Sequence, residues 1–562
     1  MIVDLAESEH TELSAYDLCV VGSGPAGATV ANELASSGLR VCVLESGRER
    51  PTALGDARRA VESEGIAIKE WSRERVLGGA STTWAGLSSP LDAVDLEARP
   101  WLASSGWPIA GEELSRWYGE ASARYRFPAA ERFGEAGFAR LRERGSLRPA
   151  WRRVEEKVFL ACAEPQDFGR ELRATWEGPV DLYLDATVVA LESAGAGRRV
   201  SLARVRTSAG RVLELRARAF VLACGGVENA RLCLLSRDLC PRGLGNERDQ
   251  VGRWFMNHPK NYFGVLRLRR PVVSEPYWFG SLHQGFAGYA GLRLSQEEQR
   301  RRGLLNSYVR LEPLFPWSDD DGVESLVLLV KKSRFFFARW KAAREEQVVE
   351  LRDYSETGDD SELQNRRRTA LGWLALLGQV ALHAPSVLAY LWFRLVPGQR
   401  PKVRRVRLRN FLEMEPDPAQ RVELGAGLDP DGLPVARVRH APSELDRRSI
   451  VALHEALREE LAEQGIADLE GDLSRAEPWP IDQDASHHIG GTRMGTDPAT
   501  SVVDPDLRVH GVENVWCAGA SVFPTSGCAN PTFTIVALSI RLAAHLRERL
   551  AGSPRRSEAA RA

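Results

Sequence analysis

The stretch YDLCVVGSGPAGATVANELASSGLRVCVLESG, residues 16–47, limits the fold of this chain more than any other part of it. An apolar run at 18–21 predicts a buried strand, and it ends in the turn Gly22-Ser23-Gly24-Pro25-Ala26-Gly27. Ala28, Ala31, Leu34 and Ala35 then share one face at helical spacing, and they are small enough for a helix to lie close on a sheet. A second apolar run at 40–44 ends at Glu45, 18 residues past Gly27. Glycines that let the backbone approach a pyrophosphate, amides at a helix start facing its charge and an acid placed for ribose hydroxyls make a dinucleotide-binding βαβ unit. FAD and NAD both remain open. Glu45 disfavours NADP, whose 2′-phosphate would meet a carboxylate.

A chain of 562 residues exceeds one compact core and predicts two or more domains. With 75 basic against 76 acidic residues, charge gives no reason to expect nucleic acid or an acidic polymer as partner. Cys19, Cys42, Cys162, Cys224, Cys233, Cys240, Cys517 and Cys528 are scattered without a CxxC pair, mostly in apolar runs, so they read as reduced thiols of a cytoplasmic protein. The start, MIVDLAESEHTELSAYD, has no apolar core of the kind a secretory signal needs.

After the βαβ unit, residues 75–92 (RVLGGASTTWAGLSSPLD) carry Gly78-Gly79 and two hydroxyl pairs, a turn that can bring amides against a flat ligand or simply cap helices. Helical spacing runs over 110–126, behind Trp101, Trp107 and Pro108. From residue 181 the pattern is of strands, ending in a fully apolar run at 219–223, the turn Gly225-Gly226 and a helix at 227–236. A second, antiparallel sheet is predicted from 262–268, 307–312, 326–331, 403–413 and the hairpin 421–440. Residues 369–393 contain no Asp, Glu, Lys or Arg, are interrupted by Pro385 and are flanked by Arg366, Arg367, Arg368 and the basic 394–409. Three readings fit them: a buried or lid-forming helix pair, an interfacial segment, or a membrane span. Trp278, Phe279, Tyr289, Trp317 and Phe335, Phe336 and Phe337 either stack on a ligand or fill the core.

The segment SHHIGGTRMGTDPATSVVDPDLRVHGVENVWCAGASVFPTSGCANPTFT carries the reactive groups. His487 and His488 precede a Gly-Gly turn. Adjacent residues point apart, so they are no chelating pair, and no third ligand stands at metal spacing. The run 515–518, Gly519-Ala520-Ser521 and a helix from Thr532 would again present amides to a cofactor.

Taken in order, GSGPAG with Glu45, LGGASTTW, ACGGVENARL, VGRWFMNHP, HHIGGTRMG, SVVDPDLRVHGVENVWCAGAS and GCANPTFT resemble the glucose-methanol-choline (GMC) flavoprotein oxidoreductases over nearly the whole chain, closest in motif to pyranose-oxidase-like bacterial members. The resemblance implies an α/β plus α+β fold: a Rossmann-type FAD-binding domain and a discontinuous substrate domain built on an antiparallel sheet. The FAD-binding domain would take 14–100, 179–258 and 485–550, the last with the active-site residues. The substrate domain would take a helical 101–178 and 259–484, with a helical insertion at 333–400, leaving 551–562 as a disordered tail.

The same resemblance implies FAD held by Gly22, Gly24, Pro25, Ala26, Gly27, Glu45, Ser46, Gly78, Gly79, Ser81, Thr82, Val188, Gly225, Gly519, Ala520, Pro531 and Thr532. His487 falls on the family's catalytic histidine, Asn530 on its second active-site residue and His488 behind the turn, exchanged with His487 if the motif slips by one. Some relatives bind flavin through a histidine where this chain has Thr83, which implies non-covalent FAD. The implied reaction is oxidation of an alcohol by hydride transfer to flavin N5, with His487 as base and Asn530 as hydrogen-bond donor. The substrate is expected to be a sugar, glycoside or polyol; a hydrophobic secondary alcohol and a non-redox lyase reaction are the alternatives. Oxygen, a quinone or a redox partner would accept the electrons, and 369–397 would make any peripheral membrane contact.

Overall fold

Strand Tyr16–Val21, buried along its whole length, lies inside a sheet whose order is Ile2–Asp4, Val180–Leu184, Val41–Leu44, Tyr16–Val21, Val212–Leu222, Leu202–Arg206, Thr187–Glu192. Val515–Cys517 adds in parallel to Val212–Leu222. A strand buried on both faces must be nearly all apolar, which the VCVL of Val41–Leu44 is. The structure, a computed structural model, describes residues 1–8, 13–69, 72–142, 145–162, 165–193, 195, 197–278, 281–283, 286–331, 370–396, 401–483 and 485–551. Phe279, Phe335 to Phe337, Arg366 to Arg368, most of the predicted insertion and residues 552–562 lie outside them.

Helix Pro25–Leu34 begins directly after Gly24 with proline in its first turn, where a missing N–H costs nothing. It packs on the last helix, Pro531–Ala551. Gly27 lets it descend onto the sheet: a Cβ there would stand 1.9 Å from the Gly22 carbonyl oxygen.

The second sheet runs in the order Ala467–Glu470, Lys260–Val272, Val403–Phe411, Tyr308–Leu314, Phe286–Leu294, Val154–Cys162, Leu87–Ser88, antiparallel throughout. Three expectations change. Residues 326–331 are not a strand but the end of helix Asp321–Lys331. Asp320 Oδ1 accepts from the Gly322 and Val323 amides at 3.0 and 3.1 Å, a local helix start that overrides the apolar run after it. The hairpin Arg421–Leu428 and Pro434–His440 stays out of the second sheet, because Pro434–His440 pairs in parallel with Val61–Gly65 to make a three-stranded sheet. The stretch 101–178 is only partly helical: Gly111–Tyr125 is a helix, whereas Val154–Cys162 pairs along Phe286–Leu294.

The apolar segment forms helices Ala370–Leu382 and Ala384–Leu395, with Pro385 in the first turn of the second. They meet at 85°, and no single helix among the described residues is long and apolar enough to cross a membrane. Val387, Tyr390 and Phe393 face the core beside Trp317, while Trp373, Leu374, Leu377, Leu382, Leu388, Trp392 and Leu395 are exposed.

Candidate active site

A cavity of about 460 Å³ takes its walls from both large sheets, and its two ends are built differently. At one end lie Gly22, Gly24, Pro25, Ala26, Glu45 and Ser46. Glu45 is buried with its carboxylate oriented: Oε2 accepts from the Ser23 amide at 2.9 Å and the Ser23 hydroxyl at 2.7 Å, and Oε1 from the Gly47 amide at 2.8 Å. Gly24 fits a cradle for a pyrophosphate, since a Cβ on it would meet no protein atom within 4 Å and would stand in the open space at the helix start. Gly79, Ser81, Val188, Gly225, Gly519, Ala520, Pro531 and Thr532 close the cavity from other sides.

Three predicted cofactor residues do not line it. Gly27 serves the helix packing described above. Gly78 has φ +92°, and a Cβ there would fall 2.8 Å from the Gly169 amide nitrogen, so its glycine is needed by the turn. Thr82 turns outward and donates to the Gly79 carbonyl at 2.9 Å, leaving Thr83 on the wall.

The other end is set by a pairing of two loops. The Met256 amide donates to the Ile489 carbonyl at 2.8 Å and the Ile489 amide returns the bond at 3.0 Å. In an antiparallel register the residue two after Met256 faces the residue two before Ile489. Accordingly His258 Nδ1 lies 2.8 Å from His487 Nδ1, with the rings perpendicular. Asn257 Oδ1 accepts from the His487 amide at 3.0 Å. Gly490 permits the close approach, since a Cβ there would lie 2.0 Å from the Trp254 carbonyl oxygen.

Burial pushes His258 down to about 4, and burial with the nearby His258 and Lys260 holds His487 well below the usual imidazole range. Both rings are therefore neutral near pH 7, and one of the facing Nδ1 atoms carries the hydrogen. When His487 donates it, His487 Nε2 keeps a lone pair. His488 also lines the cavity, is pushed down to about 3 by burial and then by Arg73, and has Nε2 3.3 Å from the Ala485 carbonyl oxygen. Its own carbonyl is packed against Gly226. Asn530 lines the cavity just before helix Pro531–Ala551.

Tyr289 is on the wall, its hydroxyl 3.0 Å from that of Tyr308. Trp278 and Trp317 are core residues. Sequence reasoning missed His258 as a partner of His487, and it missed Lys69, Lys260, Arg310 and Arg409, which line the same end. Only the alternation of the strands around 262, 310 and 409 could have pointed to the last three. Among the described residues, no group of three or more His, Cys, Asp or Glu could hold a metal ion.

Comparison with known proteins agrees with this geometry. The family model for the FAD binding domain matches residues 15–61, and that for GMC oxidoreductase matches residues 416–539. A 6′′′-hydroxyparomomycin C oxidase from Streptomyces lividus is 24% identical over 94% of this chain and 92% of its own. A fructose dehydrogenase large subunit from Gluconobacter japonicus is 27% identical over 58% of this chain and 46% of its own. The crystal structure of a formate oxidase superposes with a TM-score of 0.53 at 16% identity, covering 96% of this chain and 99% of the other, a likeness of fold. With the nucleotide cradle inside the FAD-binding match and His487 inside the GMC oxidoreductase match, the chain is similar to the GMC oxidoreductases in both halves of its site and is an FAD-dependent enzyme acting on CH–OH groups.

Proposed function

We propose that the protein oxidises a secondary or primary alcohol carbon of a sugar, glycoside or polyol, with His487 as the general base and FAD held without a covalent bond. The observation that carries this reading is the His487–His258 contact of 2.8 Å between two neutral rings. His258 is a positioning residue: by accepting at Nδ1 it fixes the tautomer in which His487 Nε2 takes the hydroxyl proton. Asn530 orients the substrate oxygen from the same wall. Bound FAD supplies the two-electron acceptor. The sugar reading is supported by the fructose in one relative's name, and names of oxidases and dehydrogenases do not favour a lyase or a hydrophobic-alcohol specialist.

Anaerobic stopped-flow reduction of the holoenzyme tests the base. His487→Ala should slow flavin reduction at saturating substrate by roughly 10²–10⁴-fold with FAD still bound. If reduction is unchanged in His487→Ala and impaired in His488→Ala, the role moves one position.

Thr83 supports the non-covalent linkage, because it stands on the cavity wall with a hydroxyl where a histidyl bond would need an imidazole. Acid denaturation should release free FAD and leave a protein of the mass of the chain alone. Yellow colour in the precipitate would overturn this.

A second reading concerns electron transfer at a membrane surface. The exposed Leu388, Trp392 and Leu395 on one helix and Trp373, Leu374 and Leu377 on its neighbour favour peripheral insertion. Binding to liposomes, abolished by Leu388→Lys with Trp392→Glu, is the expected result.

A further inference from the structure

Two main-chain pairings meet behind the catalytic end, and a buried carboxylate stands where they cross. Phe411 is in register with Lys260, and the pairing continues past it, with the Leu412 amide donating to the Pro259 carbonyl at 2.8 Å. The next pair in this antiparallel register is Glu413 with His258. The pair after it brings the Met414 sulfur within 3.3 Å of the Asn257 amide. Residues opposite each other in such a pairing share a face, so the Glu413 carboxylate stands beside the His258 ring. His258 in turn meets His487 through the other pairing, between Met256 and Ile489.

Glu413 is fully buried. Burial pushes its carboxyl up, but Arg99 and then the Asn306 and Gly527 amides outweigh this and hold it below the usual carboxylate range. The Gly527 amide, 3.2 Å from Oε1, belongs to the segment that leads directly to Asn530. Asp95 fixes the other side of that segment. Gly527 has φ +56°, a Cβ on it would stand 2.6 Å from Asp95 Oδ2, and the Thr525 hydroxyl donates to the Asp95 carbonyl at 2.8 Å. Burial, then Asp92 and Glu413, push Asp95 up to about 7, so Glu413 is the acid of the two that keeps its charge.

If His258 accepts at Nδ1, its own hydrogen must sit on Nε2. That atom is buried and makes no hydrogen bond among the described residues, while Glu413 and the main chain of Ser526 and Gly527 stand beside the ring and favour its protonated form. Burial, then His258, Lys260, His488 and Lys69, act on His487 in the opposite sense. When the hydroxyl O–H bond breaks and the proton moves to His487 Nε2, a positive charge arises on the paired rings, and Glu413 is placed to offset it.

We propose that Glu413 is a positioning residue that ties the two halves of the active site together, orienting His487 through His258 and Asn530 through Gly527. This role rests on the reading of His487 as base, whereas the place of Glu413 between His258 and Gly527 does not.

The first test needs no substrate. In oxidised holoenzyme carrying isotope-labelled histidine, nitrogen NMR should find the His258 hydrogen on Nε2 and the His487 hydrogen on Nδ1, with His258→Gln and His487→Ala assigning the signals. Arg99→Met combined with Glu413→Gln replaces the ion pair as a unit, strands neither charge and should leave both rings as mixtures of tautomers. The second test is anaerobic flavin reduction by glucose, galactose, xylose and sorbitol. With a sugar that reduces the wild type, the acid limb of the rate should move down by about one pH unit or more in the double variant, because a carboxylate that favours the charged imidazole is gone. Glu413→Asp keeps the charge on a shorter side chain and should restore the acid limb without the full rate. Gly527→Ala keeps every charge and displaces the segment of Asn530, so reduction should slow by up to roughly 10²-fold with the acid limb in place.

A slower double variant that keeps wild-type tautomers and acid limb would make Glu413 merely structural and overturn the proposal. So would a wild type with the hydrogens on the opposite nitrogens, or a Gly527→Ala enzyme as fast as wild type. If the tautomers depend on Glu413 but His487→Ala reduces flavin normally, the coupling stands and the base assignment falls. Should none of the four sugars reduce the wild type, the sugar reading falls and the tautomers decide the role of Glu413.

Discussion

The two ends of the cavity solve recognition by opposite means. The nucleotide end is made of absences: Gly24, Gly225 and Gly519 remove side chains so that main-chain amides can approach a ligand, and Glu45 is the main side chain that matters. The catalytic end is made of side chains brought together from far apart, with His258 and Lys260, Arg310, Arg409 and His487 coming from four separate segments. The first is damaged by adding atoms, the second by removing them.

That contrast can be broken most severely behind the catalytic end. Arg99 and Glu413 are buried together, Nη2 to Oε1 at 2.6 Å and Nη1 to Oε2 at 2.9 Å, and Glu413 also accepts from the Asn306 and Gly527 amides. Arg99→Met would strand the carboxylate and cost about 3–5 kcal/mol of stability, measured by denaturant unfolding of the holoenzyme. A loss under about 1 kcal/mol would mean that the amides alone hold Glu413.

Adding atoms at the nucleotide end should act on the ligand alone. Gly24→Val places its Cβ in open space, so unfolding of the apoprotein should match wild type. The affinity for FAD should fall by roughly 5- to 150-fold, the equivalent of about 1–3 kcal/mol of overpacking. If the apoprotein is destabilised as well, that end is no longer a cradle kept clear for a ligand.

The smallest expected effect separates burial from chemistry. His440 is buried outside the cavity with no hydrogen-bond partner on either ring nitrogen among the described residues, and burial lowers it to about 4. Between about pH 6.5 and 4 the unfolded chain binds a proton that the folded chain refuses, so stability falls as pH drops through that window. His258 and His488 act in the same direction. His440→Phe should flatten the slope of unfolding free energy against pH by about 1 kcal/mol per unit, with flavin reduction unchanged. An equal slope in the variant would place the acid sensitivity at the catalytic end.

The same contrast explains what could be read from residues alone. The nucleotide turn, its helix and Glu45 lie within one short stretch, where strand and helix periods speak directly. His487 and Asn530 could be named only through the family resemblance. The partnership of His258 with His487 depends on the register of two loops 229 residues apart in sequence, and no local period encodes it. The helix Asp321–Lys331 was hidden for the reverse reason, because SLVLLV alternates poorly yet reads as apolar, and the informative residue is Asp320 just before it. The polar segment Val61–Gly65 gave no strand signal of its own and becomes one only beside Pro434–His440.

The central sheet also has a history in time. Val221 pairs on one side with Val20 and on the other with Trp516, the latter roughly 300 residues further along the chain. At a synthesis rate of about 5–20 residues per second, the ribosome needs roughly 15–60 s between the two. During that interval the apolar edge of Val212–Leu222 waits for its last neighbour, and the helix Pro531–Ala551 that covers Pro25–Leu34 has yet to emerge. An edge left open for that long is exposed to wrong pairing, and the yield on expression should respond to translation speed.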